Sequence, residues 1–148
     1  MFSALKAVAD WPRARFAAER MLESTGTAGD AASRRLRYVA QTFLAEALER
    51  DPENRNDLIR SEELLNDALS TTRALARELD TPEARRDVSV SLVQLSAIAG
   101  ARGDTSRAVT LLKEARVVAK EFGSLQPLSD ATDIIEAIDG VLNQFDAK

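Results

Sequence analysis

The sequence has no cysteine and no histidine among its 148 residues. Without cysteine the chain forms no disulfide, offers no thiolate to a metal ion and has no thiol nucleophile. Without histidine it lacks the commonest general base and the commonest transition-metal ligand. These two absences exclude most nucleophilic enzyme mechanisms, and we expect a non-catalytic protein with no metal site and no cofactor.

Residues that interrupt helices are also scarce, since the chain has only 6 glycines and 4 prolines. Alanine, leucine, glutamate and arginine dominate instead, and all four are strong helix formers. No segment shows the sustained alternation of apolar and polar residues that is typical of strands. The composition therefore predicts an all-α fold.

The charge pattern and the apolar runs exclude two classes of partner. The chain carries 20 Lys and Arg against 24 Asp and Glu, a net charge of −4, whereas phosphate binding needs a concentrated positive field. No apolar run has the length of a membrane span, and the N-terminal segment lacks the pattern of a signal peptide. We therefore expect no nucleic acid partner, no membrane contact and a cytoplasmic location.

Apolar residues recur at three- and four-residue spacing in blocks that Gly, Pro, Asp and Asn separate, which predicts about seven helices. Asp10, Asp30, Thr81 and Asp104 precede four of the blocks and are typical N-cap residues. Gly103 is expected to end a helix in the left-handed conformation. The predicted helices are Ser3–Ala9, Pro12–Ser24, Ala31–Arg50, Asp57–Leu79, Pro82–Arg102, Thr105–Phe122 and a last helix from Ser129 or Asp130 to about Phe145.

The segment between two of these helices resembles a calcium-binding loop in part. Asp51–Glu62 places acidic residues at the first, seventh and twelfth positions, as an EF-hand does. Arg55 occupies a ligand position, however, and Asn56 stands where the loop needs glycine. A plain interhelical loop is the favoured interpretation.

Two of the predicted helices repeat each other at an offset of 43 residues. Leu64–Leu79 aligns with Arg107–Phe122, so that Leu69 matches Leu112 and Ala76 matches Ala119. The helices that precede them match less well, at an offset of about 51–52 residues. Helix pairs at a fixed period are the signature of an α-solenoid.

Residues 81–123 combine three features: Leu92, Leu95, Ser96 and Ala99 in the first helix, a Gly103-Asp104 turn, and Ala108, Leu112 and Ala115 in the second helix. In this pattern the segment resembles a tetratricopeptide repeat. The repeat length is closer to the longer kinesin-light-chain type than to the type of about 34 residues. Leu92 and Leu112 stand where the family often has aromatic residues, and the closing proline is absent.

The resemblance implies a solenoid of antiparallel helix hairpins wound into a right-handed superhelix. Residues 1–30 would form N-terminal capping helices, residues 31–80 a degenerate repeat, residues 81–123 a second repeat and residues 124–148 a C-terminal capping helix. In this family the first helix of each pair lines a concave groove that binds partners. The corresponding groove residues are Tyr38, Gln41, Thr42, Ala45, Val93, Gln94 and Ala97.

Arginines cluster at the start of both first helices. Arg34, Arg35 and Arg37 open one, and Arg85 and Arg86 open the other. Cations at a helix N-terminus interact unfavourably with the helix dipole. Such a placement suggests a function for these side chains, such as binding an acidic peptide. The competing interpretation is a solvated edge that nearby carboxylates neutralise in part. We call these five residues the basic edge.

Taken together, these features predict a protein–protein interaction module that binds a peptide or a partner helix. One alternative is a self-associating scaffold subunit, since Phe2 and Trp11 lie in an atypical N-terminal block where solenoid ends are prone to associate. A second alternative is a small-ligand sensor or a carboxylate-dependent enzyme. A deep pocket with two converging buried carboxylates would favour the second alternative, and a shallow groove would count against it.

Overall fold

In a computed structural model, residues 10–123 and 129–146 are described, and they form six helices and no strand. The prediction of an all-α fold is confirmed. The predicted helix Ser3–Ala9 lies outside the described residues, and the solenoid arrangement and its superhelical hand stay predictions. The helices are α1 (Trp11–Ser24), α2 (Ala31–Arg50), α3 (Arg55–Leu79), α4 (Pro82–Ala101), α5 (Thr105–Gly123) and α6 (Ser129–Asp146).

Local hydrogen bonds explain where four of these helices begin. Each predicted cap residue accepts a hydrogen bond from the backbone N–H three residues later, which satisfies a group that the first helical turn leaves unpaired. The predicted N-caps are therefore confirmed. The four bonds run from Arg13 N to Asp10, from Ser33 N to Asp30, from Ala84 N to Thr81 and from Arg107 N to Asp104, at 3.1–3.2 Å.

The described part of the chain divides between Thr71 and Thr72, inside α3, into two compact units. In the first unit α1 packs against α2. Ala18, Leu44 and Leu48 are fully buried there, and Leu22, Phe43 and Leu64 pack around them. The Ser61 hydroxyl donates to the Ala45 carbonyl at 2.8 Å, which joins α3 to α2 inside this core.

Asp57 is a buried carboxylate that fixes the start of α3 in the first unit; its exposed fraction is 5%. Its carboxylate accepts hydrogen bonds from the backbone N–H of Glu53 at 2.7 Å and from the guanidinium of Arg15 at 3.1 Å. Burial raises the pKa of Asp57, but these hydrogen bonds and the charge of Arg15 outweigh it and lower the pKa below the ordinary value. Asp57, which occupies the seventh position of the calcium-loop pattern, thus binds an arginine and loop amides.

In the second unit α4 packs against α5, and α5 packs against α6. Both helices bury small side chains, since Ser96 on α4 and Ala108 and Ala115 on α5 are all buried. Leu92, Leu95, Ile98 and Leu112 fill the remaining core. The Thr72 hydroxyl lies 3.4 Å from that of Ser91 and joins the end of α3 to α4.

We predict that alanine has opposite effects at two glycines. Gly103 has φ +84° in the turn before α5, and an alanine there should destabilise the protein by about 1–2 kcal/mol because L-residues disfavour this conformation. Gly140 lies inside α6 with open space where a Cβ would point, and an alanine there should stabilise by about 0.5–1 kcal/mol. Urea denaturation of both variants measures the change in unfolding free energy. A change of the same sign in both variants would contradict the assignment of the turn.

A second prediction concerns acid stability. Because the folded-state pKa of Asp57 is lowered, its contribution is complete above about pH 4 and is lost as pH falls through the folded-state pKa. Asp57→Asn should cost about 1.5–3 kcal/mol at neutral pH and should weaken the loss of stability in acid. Denaturation curves from pH 7 downward test this. Asp67→Asn, an exposed position without an ion pair in the described residues, is the control for charge removal.

Candidate functional site: an arginine-lined cleft

A cleft of about 570 Å³ lies in the second unit where the end of α3, the start of α4 and the last turns of α5 meet. Three guanidinium groups line it, from Arg73 and Arg77 on α3 and from Arg85 on α4. Arg73 and Arg77 are one helical turn apart, which places them on the same side of α3. The remaining wall residues are Ala76, Asp80, Val88, Val118 and Glu121. We call this the arginine cleft.

Two of the three arginines form ion pairs at the rim. Arg73 pairs with Glu114 of α5, and Arg85 pairs with Asp80 in the link between α3 and α4. The side chains are well exposed, at 43% and 44% in the first pair and at 32% and 73% in the second. Exposed pairs of this kind contribute about 0–1 kcal/mol, so a bound anion competes with them at little cost.

Arg77 is exposed and makes no ion pair or hydrogen bond with another side chain in the described part of the chain. Val88 is buried and Val118 half-buried, so the cleft combines apolar wall with charge. A guanidinium presents parallel N–H groups that match both oxygens of a carboxylate. The arrangement is therefore suited to binding an anionic group beside an apolar one.

The carboxylates of the cleft do not have the geometry of an acid–base pair. Asp80 and Glu121, the two carboxylate residues among those lining the cleft, are both exposed, and Asp80 pairs with Arg85. The carboxylates of Asp57 and Asp87 are buried, and neither residue lines the arginine cleft. The residues that line this cleft therefore do not include the two converging buried carboxylates that would favour an enzyme.

The basic edge predicted from sequence separates into residues with different surroundings. Arg37 donates from Nε to the Gly26 carbonyl at 3.1 Å and from Nη2 to the Ala28 carbonyl at 2.9 Å, so it braces the loop between α1 and α2. Arg85 lines the arginine cleft, whereas Arg86 is exposed outside it. Arg34 is half-buried and Arg35 is exposed, both on α2 in the other unit.

The residues of the predicted groove differ in how much surface they offer. Those on α2, which are Tyr38, Gln41, Thr42 and Ala45, are buried. On α4, Val93 and Gln94 are half-buried and Ala97 is exposed. The side-chain oxygens of Gln41 and Gln94 are buried without a hydrogen-bond donor in the described residues. The groove stays a prediction, and its accessible surface is confined to α4.

Sequence reasoning missed Arg73 and Arg77, the two cleft arginines on α3. A usable signal was present, because only Asp80 and Thr81 separate α3 from α4. Such a short link places the last turn of one helix beside the first turn of the next, so cations in both turns share a surface. The repeat between α3 and α5 rests on apolar positions, so it does not indicate which residues the polar face of α3 contacts.

No protein-family model, curated protein or solved structure matches the chain. Among the described residues, no three Asp or Glu side chains are placed to hold a metal ion. No helix in the same residues combines the length and the apolar character needed to cross a bilayer.

We predict that Arg37 stabilises the fold and that Arg86 does not. Arg37→Ala removes two hydrogen bonds to loop carbonyls and should cost about 1–3 kcal/mol of unfolding free energy. Arg86→Ala removes an exposed side chain with no partner in the described residues and should change stability by about 0.5 kcal/mol or less. Thermal and urea denaturation compare the two variants, and similar losses in both would refute the bracing role.

Proposed function

We propose that this chain is a non-catalytic protein–protein interaction module whose arginine cleft binds an acidic segment of a partner protein. The observation that carries the proposal is the convergence of Arg73, Arg77 and Arg85 on one cleft, where Arg77 forms no ion pair with the described residues. The cytoplasmic location expected from the sequence is part of the same proposal.

Binding would begin at Arg77, because its guanidinium has no ion pair to give up in the described residues. A second carboxylate of the partner would then compete with Glu114 for Arg73 or with Asp80 for Arg85. Both exchanges replace one exposed charge pair by another, so their cost is small. An apolar side chain of the partner would contact Val118 and Ala76 in the wall.

The sequence resemblance to tetratricopeptide repeats supports the same class of function, since arrays of that kind bind other proteins through exposed helix faces. The absence of histidine and cysteine removes the side chains that most often carry catalysis. Both arguments favour recognition of a partner over chemical conversion of a substrate.

A small anionic ligand is the second candidate, and the size of the cleft favours it. A volume of about 570 Å³ falls inside the range of about 300–1,000 Å³ that small-molecule sites occupy. In this case the same arginines would bind a free dicarboxylate, and a peptide backbone would add nothing to the affinity.

The proposal is tested by panning the full chain against a displayed random peptide library. We expect enrichment of sequences with two or more acidic residues beside an apolar one. Arg77→Glu should weaken a selected peptide by about tenfold or more, since a charge-assisted hydrogen bond contributes about 1.5–3 kcal/mol. Arg86→Glu, the same charge reversal outside the cleft, is the matched control and should leave affinity unchanged.

Three outcomes would overturn the proposal. Selected peptides without acidic residues would remove its basis, as would equal losses in the two charge-reversal variants. Tight binding of succinate, with displacement of the peptide, would favour the small-ligand candidate. Light scattering at several concentrations of the chain, run in parallel, tests the self-associating alternative.

A further inference from the structure

A second cleft of the second unit, of about 580 Å³, lies between α5 and α6 on a different face of α5. Lys113, Arg116, Val117 and Lys120 form its wall on α5, and Asp139 and Leu142 contribute from α6. None of these residues lines the arginine cleft. We call this second site the lysine cleft.

The lysine cleft holds three cations and one carboxylate. Arg116 Nε lies 2.8 Å from Asp139 Oδ1, so the carboxylate of Asp139 forms an ion pair with Arg116. Lys113 and Lys120 are exposed and form no ion pair or hydrogen bond from their ammonium groups with the described residues. The cleft therefore presents two positive charges that form no ion pair with the described residues.

The spacing of these cations is unfavourable for α5 itself. Arg116 and Lys120 are four residues apart, so two like charges are neighbours on the helix surface. The position four residues after Lys113 is Val117, where an acidic residue would have formed a stabilising pair. The helix dipole favours Lys120 in the last turn but gives no such support to Lys113 and Arg116 further back.

We propose that the lysine cleft binds an acidic amphipathic helix of a partner protein. Lys113, Arg116 and Lys120 follow one face of α5 over about 10 Å. Carboxylates spaced three to four and seven residues apart on a partner helix would meet them in turn. Val117, which is 57% exposed, and the half-buried Leu142 would contact an apolar residue between those carboxylates.

The chemistry of the cleft favours a helix over a lipid surface or a nucleic acid. Helices that bind membranes expose a broad apolar face beside their cations, whereas the apolar wall of this cleft consists of Val117 and Leu142. Nucleic acids need a larger cationic field than three side chains on a chain of net charge −4. A groove between two helices is a common docking place for a third helix.

The test uses two synthetic helical peptides of identical composition and the full chain. In the first peptide, glutamates flank a leucine on one helical face, and in the second they are distributed around the helix. By fluorescence anisotropy we expect the first peptide to bind at least tenfold more tightly than the second. The double variant Lys113→Glu/Lys120→Glu should weaken the first peptide at least tenfold, and Lys113→Arg/Lys120→Arg should retain its affinity.

Arg77→Glu separates this site from the arginine cleft, and it should leave the first peptide bound as in the unmodified chain. Equal affinity of the two peptides would overturn the proposal, because it would show attraction by charge without recognition of a helical face. An equal loss in Arg77→Glu and in the lysine variant would also overturn it. Binding of vesicles rich in phosphatidylserine through Lys113 and Lys120, without binding of the first peptide, would assign the cleft to lipid instead.

Discussion

The close packing of α5 is the constraint on which both clefts depend. Ala108, Ala115 and Ala119 are fully buried, and larger side chains at these positions would push α5 away from its neighbours. With α5 held in place, Val118 and Glu121 face the arginine cleft, while Lys113 and Lys120 face the lysine cleft. One helix, α5, therefore contributes a wall to each cleft. The small apolar side chains at its buried positions determine where its charged side chains lie.

The cations of this chain serve two different purposes. Arg15 and Arg37 are used inside the fold, where Arg15 neutralises the buried Asp57 and Arg37 holds loop carbonyls. Arg77, Lys113 and Lys120 have no ion pair in the described residues and remain available to solvent. An internal pair is expensive to break because it leaves a buried charge behind, whereas an exposed cation gains from any suitable anion. Net charge alone does not reveal this division.

The local sequence was sufficient to predict the helices but not which distant side chains come together, for physical reasons. Caps such as Asp30 and Thr81 act on backbone groups three residues away, so the local sequence is sufficient to locate them. The partner of Asp57 is Arg15, 42 residues earlier, and no local pattern connects the two. The arginine cleft depends on which part of the polar face of α3 meets α5. An apolar stripe shows which face of a helix is buried but not which neighbour lies beside its polar face.

The two clefts also show why charge counting is a poor guide to recognition in a chain of this kind. Exposed charges more than about 8 Å apart are screened from each other at physiological ionic strength, so each cation acts mainly on its immediate neighbours. Specificity must then come from spacing. Arg73 and Arg77 are one turn apart beside an apolar wall, while Lys113, Arg116 and Lys120 extend over two turns beside Val117. The cations of the arginine cleft come from two helices, α3 and α4, whereas those of the lysine cleft follow one face of α5, so the two proposed sites would bind different arrangements of carboxylates.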